Sequence, residues 1–521
     1  MVTENVPFKP HFGAFVLETL TLGMYGESRN AIREYIQNGF DSLRQAVADG
    51  LVGEADARIE ITLNSEQQRL SIRDNGGGLR TENAVSVLAS VGASNKDYRR
   101  NAGFRGIGRL AGIVFCDRLT FTTKAPGQTR RTVVTFDAKK LREKMAPHGT
   151  YEADAAQTLE SCVDAKYEED ADVNGHFFEV ELLGFFNPPA EAGNYDALKS
   201  FVSQVSPLPY RPDFPHKQAI LDRASSENFD LEWVRVFVRN GEANFEELYK
   251  PYGVDVGVKS GRVPVSIDFV ASPRGKWWGW IGRKRVSGAI KDVQSKGIRV
   301  RVRNIQIDGT DIIRDIFAVS HRGGKPRSSY ARFVDWYVGE IHVRPNAAIP
   351  NARRDGFEED PAWEAIRDEI DELVGTPYGK MAYKTSTADQ LSLDSLNKRL
   401  AEFRRTADPL IAQHRADWDI VSQAVAEGNE LQRRLGLAVK AADEDELTAL
   451  RTITETASAL KKGLEGLVVE APPHSGCDEE IAIALTNFTQ ALYKALKQRL
   501  SPAEWQHARD VVREVSGEDP L

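Results

Sequence analysis

Glu34, Asn38 and Asp41 are spaced i, i+4 and i+7 within Ile32-Arg33-Glu34-Tyr35-Ile36-Gln37-Asn38-Gly39-Phe40-Asp41-Ser42-Leu43. At about 100° per residue, a helix gathers them on one face and puts Ile32, Ile36, Gly39 and Leu43 roughly opposite. A carboxylate, an amide and a second carboxylate on one face could hold a hydrated cation. The same spacing also occurs on ordinary solvated helices, so the residues that follow must decide between the two.

Residues 58–63 and 69–72 read as two short strands joined by a polar turn. Directly after them comes Asp74-Asn75-Gly76-Gly77-Gly78-Leu79. Glycines at a strand end let a backbone approach a ligand closely, although a glycine-rich hairpin turn has the same composition. Gly103, Gly106 and Gly108 then open an apolar segment at 110–114 that could be a helix. Unhindered amides at the positive end of a helix dipole suit phosphate oxygens. Between residues 79 and 103 lies a polar stretch with Lys96, Arg99 and Arg100 near its end; solvated charge is their default role.

The elements that must position these groups belong to a chain of 521 residues, long enough for three domains. A hydrophobic fraction of 41% and a charged fraction of 28% are those of a globular protein, and no apolar run reaches the roughly 20 residues of a membrane helix. No basic segment precedes the apolar stretch at 12–22, so we expect no secretory signal and a cytoplasmic location. Cys116, Cys162 and Cys477 are odd in number, far apart and without zinc spacing, which fits reduced thiols. A net charge of −8 argues against a surface built broadly for nucleic acid.

Further on, residues 119–136 read as strands and residues 152–172 as an acidic, irregular insertion. Val263, Val265, Ile267 and Phe269 alternate, as do Ile298, Val300 and Val302, so both runs are strands with one buried face. Arg299, Arg301 and Arg303 take the opposite face of the second, either solvated or salt-bridged or, less favoured, on nucleic acid. Trp277, Trp278 and Trp280 sit among cations and are the best candidate for a partner surface; packing into a domain contact is the plainer expectation. From Thr385 onward helix formers dominate. Leu393, Leu396, Leu400 and Phe403 form one stripe, until Asp408-Pro409 interrupts it; Leu447, Leu450, Leu460 and Leu464 form another, and Ile481 to Leu496 a third. Ser501-Pro502-Ala503-Glu504 has the form of a capping box that starts a last helix.

The order of the first three boxes resembles the Bergerat-fold, or GHKL, ATPase superfamily of gyrase, the ninety-kilodalton heat-shock chaperones, histidine kinases and MutL. Glu34, Asn38 and Asp41 match its ExxxNxxD box, Asp74, Gly76 and Gly78 its DxGxG box, and Gly103, Gly106 and Gly108 its lid-end GxxGxG. Residues 175–182 resemble the family's final glycine-led strand, with His176 where threonine is common. The resemblance implies that Asp74 accepts a hydrogen bond from the adenine amine, Asn38 coordinates Mg²⁺, Glu34 polarises the attacking water, and Lys96 closes on the triphosphate. Ile349-Pro350-Asn351-Ala352-Arg353-Arg354-Asp355 resembles the heat-shock chaperones' middle-domain loop. That match implies that Arg354, rather than Arg353, reaches the γ-phosphate of ATP.

The expected architecture is α/β. It comprises a Bergerat sandwich at 1–195, a transducer-like α/β domain at 196–384, and a helical dimerisation or partner-binding module at 385–521. The expected activity is hydrolysis of ATP with Mg²⁺, driving lid closure and contact between N-terminal domains in a homodimer that acts on a protein client or operon partner. The alternatives are a DNA-acting ATPase similar to MutL or MORC, and a nucleotide-gated scaffold in a stress or phage-defence system. No membrane partner is expected.

Overall fold

The computed structural model describes residues 13, 15–19, 28–92, 108–146, 154–307, 309–319, 327–413, 415–442, 444–470 and 505. Lys96, Gly103, Gly106, the 481–496 stripe and the 501–504 capping box lie outside them. The chain divides into two compact units, residues 1–386 and 387–521.

The first unit opens with a short helix, α1 (Phe15–Glu18), and then the helix of the ExxxNxxD box, α2 (Asn30–Ala48). An eight-stranded sheet follows from β1 (Arg58–Asn64), β2 (Arg69–Asp74), β3 (Cys116–Lys124), β4 (Arg130–Asp137), β5 (Val163–Glu169), β6 (Phe177–Phe185), β7 (Arg235–Asn240) and β8 (Glu246–Leu248). Its order is β5-β4-β3-β6-β2-β1-β7-β8. Neighbours are antiparallel except β1 and β7, which run parallel. Ile59, Ile61, Leu63, Leu70 and Ile72 alternate with polar residues along β1 and β2, as a sheet covered on one face requires. Ile32, Ile36, Phe40 and Leu43 of α2 join them in one core.

Two details of this part of the chain differ from the sequence reading. The acidic stretch at 152–172 is not irregular: it forms a short helix, Ala155–Glu160, and edge strand β5, whose Glu168 and Glu169 pair with Arg131 and Arg130 on β4. Cross-strand charge pairing lets so acidic a segment join a sheet. The apolar segment after Gly106 forms a 3₁₀ turn, Gly108–Val114, rather than an α-helix.

A second sheet is built from β11 (Ser266–Ala271), β12 (Trp277–Arg283), β13 (Gly297–Val302), β14 (Ile305–Ile307) and β15 (Val338–Val343), in the order β11-β12-β15-β13-β14. A small hairpin, β9 (Asp255–Val258) with β10 (Gly261–Pro264), precedes it. Residues 297–307 are therefore a hairpin, not one strand. Arg303 and Asn304 form its two-residue turn at φ 51° and 60°, so Arg303 does not share a strand face with Arg299 and Arg301.

Both faces of this sheet are covered, which is why every residue of β13 and β15 is buried. Trp277, Trp278 and Trp280 are fully enclosed. Trp277 donates to Glu369 at 3.2 Å and Trp280 to Tyr210 at 3.1 Å. The plainer expectation, packing, describes these tryptophans, and the candidate partner surface they would have formed is interior.

Arg301 is buried as well, because β15 places Glu340 beside it. The Glu340 carboxylate accepts from Tyr210 at 2.6 Å, Lys250 at 2.7 Å, Tyr252 at 3.2 Å and Arg301 at 2.5 Å. Burial by itself would raise its pKa, but Arg301 and Lys250 outweigh that and hold it well below the usual carboxylate range. His342 lies 3.2 Å from Glu340 and stacks on Trp278. Burial pushes its pKa down from 6.5 to about 4, against the pull of Glu340.

The folded pKa of His342 is below the unfolded one, so between pH 6.5 and about 4 the unfolded chain takes up a proton that the folded chain refuses. Stability from this group is therefore complete above pH 6.5 and lost as the pH falls towards 4. We expect the urea midpoint of the wild type to drop across that window, and to drop less steeply in His342→Gln. Identical slopes would show that His342 titrates alike in both states.

The second unit packs helices Leu393–Gln413, Trp418–Ala441 and Glu444–Glu465 around Leu396, Phe403, Leu431, Leu435, Leu450 and Leu464. The helix Leu393–Gln413 continues through Pro409, contrary to the expected break. A proline removes one backbone hydrogen bond, but packing of Ala407, Leu410 and Ile411 against the other helices offsets that loss. Residues 415–417 and 468–470 form a small parallel strand pair. Among the described residues no helix is long and apolar enough to cross a membrane.

Candidate active site

The site is built where α2 crosses the end of β2. Asp74 is the last residue of β2 and is 4% exposed. Its Oδ1 accepts from the Ser42 hydroxyl at 3.1 Å and from the Gly76 amide at 2.9 Å. Two donors on one oxygen fix the orientation of the carboxylate.

The glycines are required by geometry. A Cβ on Gly76 would lie 2.1 Å from the Ser42 hydroxyl. One on Gly78, whose φ is +58°, would lie 2.0 Å from the Lys124 carbonyl. Gly77 has only Leu51 Cδ1 in contact range, at 3.6 Å. The constraint thus falls on the two glycines of the DxGxG spacing. Gly39 packs against the sheet as expected, and at the strand end that packing reaches the site: a Cβ there would lie 3.1 Å from Ile59 Cδ1 and 3.4 Å from Asp74 Oδ2. A glycine here lets the strand end approach the helix.

His176, ahead of β6, holds the loop from outside: its Nδ1 lies 2.8 Å from the Gly76 carbonyl, which requires the proton on Nδ1. The nearby hydroxyl belongs instead to Thr123 on β3, which accepts from the Leu79 amide at 2.8 Å and donates to the Phe177 carbonyl at 3.1 Å.

One turn before Asn38, Glu34 is buried, its side chain 11% exposed. A Cβ on Gly108 would lie 2.4 Å from Glu34 Oε2, so the 3₁₀ turn meets the carboxylate directly. Tyr35 anchors that turn by donating to the Arg109 carbonyl at 3.1 Å and accepting from the Gly112 amide at 2.8 Å. Asn38 is half-buried and Asp41 is 6% exposed, both along the same helix.

The other side of Glu34 is closed by the loop at 350–357, whose ends pair as Pro350 with Phe357. Arg354 Nε stands 3.5 Å from Glu34 Oε1, and its side chain is 8% exposed. The Arg354 backbone has φ 54°, a left-handed conformation that a non-glycine residue adopts at a cost of about 1–3 kcal/mol. The surroundings hold it there: Arg33 on α2 donates to the Arg353 carbonyl at 2.9 Å and the Arg354 carbonyl at 3.3 Å. Asn351 donates to Asp355 at 2.7 Å, and the Arg354 amide to the Asn351 carbonyl at 3.2 Å. Arg353 itself is exposed.

Glu34, Asn38, Asp41, Asp74, Gly76, Gly78, Gly108 and Arg354 therefore lie on elements that meet around the start of α2 and the end of β2. The sequence reading missed Arg33, Ser42, Gly39 and Thr123. Ser42 follows Asn38 by one helical turn, a spacing that could have identified it; Thr123 carries no comparable signal.

The constellation suits a purine nucleotide. A fixed buried acceptor sits beside backbone pared to glycine, and a carboxylate and an amide follow along the helix. Asn38 offers one neutral oxygen, the small protein share that Mg²⁺ takes when it keeps its waters and binds phosphates.

Comparison with known proteins agrees. Residues 26–167 match the family model described as histidine kinase-, DNA gyrase B-, and HSP90-like ATPase. Curated relatives include the chaperone protein HtpG of Acinetobacter baylyi, 24% identical over 143 residues, which cover 24% of this chain and 22% of the relative. HtpG of Rickettsia typhi is 24% identical over 162 residues, 27% of this chain and 25% of the relative. HtpG of Halalkalibacterium halodurans is 27% identical over 129 residues, 22% of this chain and 21% of the relative. The matches thus span a quarter or less of the relatives' own length. Residues 26–167 are a GHKL ATPase domain, and over that segment the chain resembles the HSP90-like chaperones.

Proposed function

We propose, from the premise that residues 26–167 are a GHKL ATPase domain, that the whole chain is an ATP-driven conformational machine of chaperone type. The observation that carries this is the ion pair between Glu34 on the ATPase helix and Arg354 on a loop of the second sheet's domain. A hydrolytic carboxylate and a phosphate-sensing arginine need to be brought together only if both act on one reacting phosphoryl group.

In this reading Asp74 accepts from the adenine amine, with Ser42 and the Gly76 amide fixing its orientation. Asn38 holds Mg²⁺, which would neutralise charge on the phosphates. Glu34 orients the attacking water, while Asp41 supports the solvated metal from the next turn. Arg354 neutralises charge that develops on the γ-phosphate. Lys96, Gly103 and Gly106 would close over the triphosphate as a lid. Lid closure would favour contact between the N-terminal domains of a homodimer, coupling turnover to a protein client in the cytoplasm.

A DNA-acting role drew its support from the tryptophan-arginine region, whose tryptophans are interior while Arg274, Lys276 and Arg285 beside them are exposed. Salt-sensitive DNA binding at low ionic strength would revive it.

The direct test is Asp74→Asn. An amide presents one carbonyl oxygen and one NH₂, so it loses acceptor capacity where Ser42, Gly76 and adenine all donate. We expect a fluorescent ATP analogue to bind about ten- to a hundred-fold more weakly, from loss of a charge-assisted hydrogen bond of roughly 1.5–3 kcal/mol. Unchanged affinity would place the adenine elsewhere.

A further inference from the structure

At the N-terminal end of α2 lies a cavity of about 450 Å³, lined in part by Arg29, Arg33 and Arg353. None of Glu34, Asn38, Asp41 or Asp74 lines it. We propose that this cavity is a second anion site, for a phosphate group that still carries an O–H.

Charge supports an anion. Arg354 adds a fourth guanidinium to the lining, against the two carboxylates of Glu191 and Asp355. The start of a 19-residue helix contributes its positive dipole end, and the Arg29 side chain makes no capping hydrogen bond there. Arg29 stands 3.7 Å from Glu191, with its guanidinium carbon 5.6 Å from the centre of the Phe201 ring.

A separate observation narrows the ligand. Gln306 on β14 also lines the cavity and is 5% exposed, and its side-chain oxygen has no hydrogen-bond partner. A buried acceptor needs a donor. An occupant with negative oxygens for arginine and a hydroxyl for Gln306 would satisfy both. Hydrogen phosphate and a phosphomonoester with a neighbouring hydroxyl do both, whereas a carboxylate such as acetate offers no donor. The volume falls within the roughly 300–1,000 Å³ of small-molecule sites.

The site borders the Arg354 loop through Arg33, Arg353 and Arg354, so an occupant would brace that loop. Any effect on turnover rests on the reading of Arg354 given above, but binding does not.

The test is calorimetric titration of the full chain with inorganic phosphate, in the presence of saturating Mg²⁺ and a non-hydrolysable ATP analogue to occupy the Asp74 pocket. We expect the wild type to bind one phosphate, and Arg353→Ala, whose side chain is exposed, to bind it about tenfold more weakly through loss of a charge-assisted contact. Gln306→Leu should weaken phosphate binding while leaving that of acetate unchanged. No phosphate binding by the wild type, equal affinity in Arg353→Ala, or acetate binding as tightly as phosphate would each overturn the proposal. A chain that binds phosphate in this pattern but takes no ATP analogue would sink the nucleotide reading and leave this one standing.

Discussion

Glu34→Ala is expected to slow phosphate release from ATP by about 10²- to 10⁴-fold, the usual contribution of a positioned general base, while leaving nucleotide affinity nearly unchanged. The separation of the two effects follows from the geometry. Asp74, the proposed adenine acceptor, is held by Ser42 and the Gly76 amide. Glu34 instead faces the Gly108 turn on one side and Arg354 on the other. Its removal empties the reacting end of the site and leaves the base-recognising end intact. Phosphate release measured alongside calorimetric nucleotide binding checks this; equal turnover in wild type and variant would remove Glu34 from the chemistry. Binding without turnover by the wild type would instead favour the nucleotide-gated scaffold.

Arg354→Ala should cost about 10³- to 10⁵-fold in turnover, on the scale of arginine fingers in other phosphoryl-transfer enzymes. Arg354 is buried, pinned by its backbone to Arg33 and already within ion-pair range of Glu34. Arg353→Ala serves as the internal control: its carbonyl, not its exposed side chain, is what Arg33 grips, so turnover at saturating ATP should stay near wild type. Were the two variants to trade places, Arg353 would be the phosphate sensor and the loop would have to turn over on ATP binding. Arg354→Lys distinguishes a planar fork from a point charge; little recovery is expected, because the ammonium cannot match the guanidinium's reach and donor geometry.

Much of the site was legible because helical and turn spacing are local. Glu34, Asn38 and Asp41 fall on one helix by their intervals alone, and Asp74 with Gly76 and Gly78 marks a strand end where the backbone is crowded. The spacing even separates Gly76 and Gly78, which admit no Cβ, from Gly77, which does. Charge and aromatic patterns were far less informative. Arg299 and Arg301 read as a solvated or salt-bridged strand face, and spacing could not choose between the two; β15 brings Glu340 from some forty positions downstream to neutralise Arg301 in the interior. Trp277, Trp278 and Trp280 left a partner surface open beside the plainer expectation of packing, because nothing local says that both faces of their sheet are covered.

The opening helix shows the division most clearly. Its sequence determined that Glu34, Asn38 and Asp41 would share a face and that a glycine strand end would follow, since both depend on bonds and angles between near neighbours. Only the tertiary structure decided that Gly39 faces Asp74, that Ser42 orients it, and that Arg33 holds a loop 320 positions away against Glu34. Those contacts come from how one helix is pressed between a sheet and a distant loop, and residue spacing carries no term for that.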